Sequence, residues 1–205
     1  MEYIDPGEIE KRSMEIIEKK MGKISAAPEE KKIIKRVIHA TADTDFSEKI
    51  VISSEAVITA KRIFKKGYNL VTDVNMLKSG ISKKKIKELG IMVKCFIGRE
   101  DIAAEASAKG ITRSMMSMRK AITDKKNKMF IIGNAPTALF ELINLIKSGK
   151  GEQVEMIIGT PVGFVGASEA KEELQKLNLP YITVTGKKGG SAVAASITNA
   201  LLYML

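Results

Sequence analysis

One histidine occurs in these 205 residues, His39, and it sits in RVIHATADTDF, where a helical pattern gives way to threonines and aspartates. An imidazole titrates near neutral pH, so this side chain is the best equipped in the chain to give and take a proton. A capping or packed histidine is the plainer reading of the same position. Asp43 and Asp45 follow closely. They read either as groups that raise the basicity of the imidazole or as caps at a helix end.

A second set of residues follows a series of short apolar runs. After YNLVTD stands VNMLKSGI, after MFIIG stands NAPTALFEL, after VEMIIG stands TPVGFVGASEA, and after YITVTG stands KKGGSAVAAS. Glycine lets a backbone approach closely, and free N–H groups at a helix start hold a carboxylate or phosphate. Each such glycine also serves as an ordinary turn into a helix. GKKGGS goes further, because Lys187, Lys188, backbone donors and the Ser191 hydroxyl converge there, so anion binding leads. It is not a P-loop, and no G-x-G-x-x-G follows the first apolar run, which disfavours nucleotide cofactors. In ITRSMMSM, Arg113 lies near a helix start, and its guanidinium suits a forked grip on a carboxylate. Met115, Met116 and Met118 read as core packing. Several anion sites along one sheet edge would suit a ligand carrying many carboxylates.

The elements that hold these residues follow from hydrophobic pattern. KIVIS, YNLVTD, IMVKCFIG, MFIIG, VEMIIG and YITVTG are β-rich runs, each followed by a segment of helical composition. That alternation predicts an α/β fold, a mostly parallel sheet in a three-layer α/β/α arrangement. The runs are continuously apolar, as expected of strands covered on both faces. Ligands in such folds lie outside the carboxyl ends of the strands. Before the sheet, helices are predicted over 7–21 and 29–40, with Pro28 near the first turn of the second. The expected organisation is a single domain: a helical arm over 1–45 that carries His39, and a parallel-sheet body over 46–205.

Composition narrows the partners. At 44% hydrophobic and 28% charged, the chain reads as a globular one with a sizeable core. Lys and Arg number 34 against 24 Asp and Glu, a net charge of +10, which favours an anionic partner. Nucleic acid, an acidic membrane surface and a polycarboxylate small molecule all satisfy that charge. The runs Lys83-Lys84-Lys85 and Lys125-Lys126 read as solvated surface. Aromatics are 5% and Trp is absent, so there is little to stack bases on, and no nucleic-acid module is found. No stretch suits a bilayer and the start is too polar for a secretory signal, so a cytoplasmic chain without a membrane partner is expected. Cys95, in IMVKCFIG, has no second cysteine to pair with and reads as a buried strand residue. A structural zinc site is excluded for lack of ligands.

SMEIIEKKMG, RVIHATADTDF, TDVNMLKSGI, ITRSMMSM, GNAPTAL, GTPVGFVGASEAK and GKKGGSAVAASITNALL, in this order, resemble the precorrin-8X methylmutase family of cobalamin biosynthesis. The resemblance covers nearly the whole chain. It implies an isomerase that moves a methyl group from C-11 to C-12 of precorrin-8X or cobalt-precorrin-8, giving hydrogenobyrinate or cobyrinate. It also implies no cofactor, no metal of the protein's own, a flavodoxin-like fold, and a homodimer with substrate near the subunit interface. Within the same resemblance His39 is the proton donor/acceptor, and Ser13 and Arg36 bind substrate. Arg36 lies three residues before His39, so on a helix the two project from nearly the same face.

Position and chemistry add Thr41, Asp73, Asn75, Arg113, Asn134, Thr137, Lys187, Lys188 and Ser191 as substrate-binding candidates. Asp73 would repel an acidic substrate unless it accepts from a ring N–H or fixes a neighbouring base. The methionines after Arg113 stand where smaller residues are expected in the family. A competing class is a tetrapyrrole carrier that holds its ligand in the same cleft without turnover. A nucleic-acid or flavin-binding module lacks the stacking aromatics and the phosphate loop of a flavodoxin.

Overall fold

Two helices open the chain because each has its start and stop written locally. Helix α1 (Pro6–Met21) begins with proline after Asp5, whose carboxylate accepts the Gly7 N–H, and ends at Gly22 with φ of 64°. Helix α2 (Pro28–Thr41) again starts on proline, and the Glu30 carboxylate accepts the Ala27 N–H at 2.9 Å. Its buried stripe, Ile33, Ile34, Val37 and Ile38, fixes which face turns inward. This computed structural model describes residues 5–22 and 24–205, so the arm expected over 1–45 begins outside the described residues.

The six apolar runs are the six strands: β1 (Ile50–Ile52), β2 (Asn69–Thr72), β3 (Val93–Cys95), β4 (Asn127–Ile132), β5 (Met156–Gly159) and β6 (Tyr181–Val184). They form one sheet in the order β1-β6-β5-β4-β2-β3. Strands β2 to β6 are mutually parallel, and β1 alone pairs antiparallel, with Ile50 opposite Val184. The five parallel strands have the winding of a flavodoxin-like sheet, which reverses direction between β2 and β4. The interior strands β2 and β5 are buried at every position, including the polar Asn69 and Thr72 of β2, whose side chains bond to Asn127 and to the Lys94 carbonyl. Cys95 is half-buried rather than enclosed, because β3 is an edge strand.

Connecting helices fill both faces. They are α3 (Phe46–Lys49), α4 (Ala56–Lys65), α5 (Asn75–Gly80), α6 (Lys83–Glu88), α7 (Glu100–Ala108), α8 (Arg113–Ala121), α9 (Pro136–Lys147), α10 (Ala167–Gln175) and α11 (Ser191–Leu202). One core joins α2, α4, α5 and α11 to the sheet through side chains such as Val37, Phe64, Leu77, Ile131 and Ile197. The other joins α8, α9 and α10 through Met118, Leu139, Leu142, Phe130 and Leu174. Each large side chain so enclosed is worth roughly 1.5–3 kcal/mol of burial. Met116 and Met118 are core, Met116 packing against Ile102 of α7. Helix α2 packs in the body's own layer, and α1, with most of its residues exposed, adds Ile17 and Met21 to the same core. Among the described residues no helix is long and apolar enough to cross a membrane.

The antiparallel direction of β1 follows from where the end of α2 is anchored. Residues following α2 are tied to the turn after β6, at the carboxyl edge of the sheet, and the four-residue α3 is too short to carry the chain back. The next strand must run away from that edge, and the Thr185 N–H bonding to the Lys49 carbonyl marks where it sets out.

Candidate active site

The winding of the sheet reverses between β2 and β4, so their carboxyl ends splay apart into a crevice. Asp73, the first residue after β2, is fully buried there. Its carboxylate accepts the backbone N–H groups of Gly133, Asn134 and Ala135 at 3.1, 2.8 and 2.8 Å. Burial raises this carboxyl above the usual range while the three donors oppose the shift. With its oxygens so committed, Asp73 shapes the loop after β4. Gly133 is required by a close approach: a Cβ there would lie 2.9 Å from the Ser191 Cα. The loops after β4 and β6 therefore touch, and Asn134 is brought beside the start of α11.

His39 lies in the last turn of α2, half-buried. With Arg36, one turn earlier, it lines a cavity of about 510 Å³ to which Glu10 of α1 and Ser196 and Asn199 of α11 contribute. A second cavity, about 310 Å³, is lined by His39 together with Ser13, Ala42 and Thr44. Ser13, Arg36 and His39 are thus brought together. Arg36 pairs with Glu10 at 3.4 Å, and the Ser13 hydroxyl donates to the Ile9 carbonyl. Thr41 closes the helix: its hydroxyl donates to the Val37 carbonyl and accepts the Asp43 N–H.

The turn after β6 meets this helix end. The Lys188 ammonium donates to Asp43 Oδ2 at 2.6 Å and Asp45 Oδ2 at 2.7 Å. Asp43 is held below the usual carboxylate range by Lys188, whose own pKa is raised by Asp43 and Asp45. Asp43 and Asp45 therefore anchor Lys188, and Asp45 also stands at the N-cap position of α3, with its carboxylate turned to Lys188 rather than to the helix. Lys187 is exposed, with its ammonium 5.3 Å from the centre of the Phe164 ring. Gly190, at φ 117°, precedes Ser191, the first residue of α11, which has no side-chain cap. That helix start presents free backbone N–H groups beside Asn134.

Arg113 and Thr137 are exposed at the starts of α8 and α9, which are joined by the Thr112 and Thr137 hydroxyls 3.3 Å apart. Asn75 is also exposed and lines a separate cavity of about 610 Å³, rimmed by Lys78, Lys83 and Lys87. The contacts thus make two groups, His39 with Arg36 and Ser13, and the loop set Asn134, Thr137, Arg113 and Ser191. Lys188 joins the helix that carries the first to the turn that opens the second.

Residues 8–204 match the family model described as precorrin-8X methylmutase. The chain belongs to that family. It is 40% identical to a cobalt-precorrin-8 methylmutase of Priestia megaterium, over 97% of this chain and 88% of that one. With a cobalt-precorrin-8 methylmutase of Salmonella typhimurium it shares 43% identity, covering 88% and 84%. A solved precorrin-8X methylmutase related protein superposes with a TM-score of 0.86 at 33% identity, over 94% of this chain and all of the other. The family reaction is a methyl migration, an isomerisation in cobalamin biosynthesis.

Some residues around the candidate site escaped the sequence reading. Glu10 is one acid among many on an exposed helix, and its contact with Arg36 spans 26 residues. Ser196 and Asn199 sit in an apolar helix where they read as tolerated polar residues. Phe164 and Val165, 87% and 89% exposed, carried a signal that was there to use: large apolar residues between glycines in a loop.

Proposed function

We propose that His39 is the proton donor/acceptor of this methylmutase and that Arg36 and Ser13 hold the substrate beside it. The observation that carries the proposal is the cavity of about 510 Å³ in which the chain's one imidazole shares a wall with a guanidinium. Methyl migration breaks the C-11 bond to the methyl carbon and forms the C-12 bond, with no net gain or loss of atoms. A proton passed from the imidazole to a ring position and back favours the tautomer in which the methyl moves, and it regenerates His39. Arg36 supplies a fixed cation for one carboxylate of the macrocycle.

The substrate we assign is a polycarboxylate tetrapyrrole, precorrin-8X or its cobalt form. The cobalt form leads, since both relatives described above bear its name. Lys187, Arg113, Asn134, Thr137 and the Ser191 helix start are the contacts proposed for the remaining carboxylates, and Phe164 and Val165 for an apolar face. The same exposed apolar pair supports a homodimer that covers this edge. A cytoplasmic location completes the proposal, supported by a lone cysteine with no partner in the chain.

The test is a visible spectrum recorded during anaerobic incubation with precorrin-8X and, separately, cobalt-precorrin-8. The wild type is expected to produce the corrin chromophore, with relative rates naming the substrate. His39→Ala is expected to bind and to lose at least about 10²-fold in rate. Near-normal conversion by His39→Ala overturns the proton role. A bound, unchanged spectrum in both proteins overturns catalysis in favour of a carrier.

A further inference from the structure

The turn after β6 is clamped from several elements, and one clamp is a buried cation. The Gly163 N–H donates to the Lys187 carbonyl at 3.2 Å, and the Gly190 N–H to the Thr160 carbonyl at 2.8 Å. Between these two, the ammonium of Lys171, on α10, donates to the Lys188 carbonyl at 2.7 Å. Lys171 has no exposed surface, and among the described residues no carboxylate pairs with it. Burial pushes its pKa down to about 8, the mark of a cation kept where charge is disfavoured. An apolar side chain of similar length would fill the same space without that cost, so the contact with Lys188 is what the ammonium adds.

The residue that Lys171 holds by its carbonyl is the one whose own ammonium grips Asp43 and Asp45. Those aspartates order the segment that closes α2. The Asp45 N–H donates to Asp43 Oδ1 at 3.0 Å, the Asp43 N–H to the Thr41 hydroxyl at 3.3 Å, and the Ala42 N–H to the Ile38 carbonyl at 2.8 Å. His39 lies within that final turn. An unbroken line of hydrogen bonds therefore runs from α10, across the turn after β6, to the helix end that carries the imidazole.

We propose that Lys171 is a positioning residue for His39, acting through Lys188 and the segment Ala42–Asp45. It touches neither the imidazole nor the cavity beside it. The proposal rests on the reading of His39 as the proton donor, since a misplaced acid loses rate steeply and a spectator does not.

The experiment is Lys171→Met in the full chain, read by the signals of the one imidazole. With a single histidine, the protein gives one set of imidazole 1H–13C resonances, assignable without ambiguity. These signals are expected to shift or broaden, and kcat to fall about tenfold or more, while affinity for the corrin product stays within about twofold. Imidazole signals identical to wild type in a folded variant overturn the proposal, and so does an unchanged kcat. A wild type that fails to convert substrate counts against the functional reading, and the resonance comparison still decides the proposal. If Lys171→Met does not fold, Asp43→Asn combined with Asp45→Asn cuts the same line at its exposed end. Moved signals there support the proposal, and unmoved ones sink it.

Discussion

Asp73 Oδ2 stands 2.8 Å from the backbone nitrogens of both Asn134 and Ala135, so one buried carboxylate holds the loop of the neighbouring strand at the point where the sheet reverses. Charge-assisted bonds to backbone N–H groups are among the stronger ones available. Asp73→Asn keeps the shape but turns one acceptor into a donor facing an N–H. The expected cost is about 1–3 kcal/mol, seen as a lower urea midpoint at unchanged slope, together with slower conversion. A midpoint equal to wild type would show that the loop holds itself.

Glu10 occupies the guanidinium that we assign to a substrate carboxylate. Both side chains are largely exposed, so the pair is worth little, about 0.2–1 kcal/mol. Glu10→Gln is accordingly expected to tighten tetrapyrrole binding about 1.5- to 5-fold by spectroscopic titration, with kcat unaltered. Weaker binding would show Glu10 to be a substrate contact.

Lys171 gives stability an alkaline signature. The unfolded lysine keeps its proton to about 10.5, whereas the folded one releases it near 8. Between those values the unfolded state binds more protons, so stability rises with pH, by up to about 1.4 kcal/mol per unit. Urea midpoints of wild type and Lys171→Met, compared across that window, isolate the contribution. Parallel profiles would show that the ammonium is not desolvated.

Ala42 is the one non-glycine residue with positive φ among the described residues, at 53°, where it ends α2. Left-handed geometry costs a residue with a Cβ about 1 kcal/mol, and glycine escapes it. Ala42→Gly should therefore gain roughly 0.5–1 kcal/mol in thermal or urea unfolding. A loss of stability would mean that the Cβ packs against the cavity wall it shares with Ser13.

The sequence reading located all six strands and both leading helices because each is encoded within a few residues: unbroken apolar runs for the strands, prolines and an Ile-Val stripe for α2. Helical spacing set Arg36 beside His39, and the family resemblance, not a local pattern, added Ser13, which lines a cavity with His39. What it could not read depends on contacts between distant segments. The partners of Lys188 lie 145 and 143 residues away, so no local reading of Asp43 and Asp45 reveals the ammonium that both of them hold. Asp73 reads as a cleft residue by its place after a strand, and a single sequence holds no mark of the three amides that enclose it. The direction of β1 has the same origin, since it follows from where the end of α2 is anchored.

Helices α2 and α11 share one core, although the whole sheet-forming part of the chain lies between them. Closing so long a loop is entropically expensive, so this contact is expected among the late events of folding. The helix with the chain's one imidazole then acquires its final support only once the β6 end of the sheet exists. A chain stalled before α11 docks would hold the strands in place, yet lack the helix start beside Asn134 and expose the apolar face of α2. Immature molecules of this kind would be sticky and silent, which makes the appearance of activity a direct clock for the completion of folding.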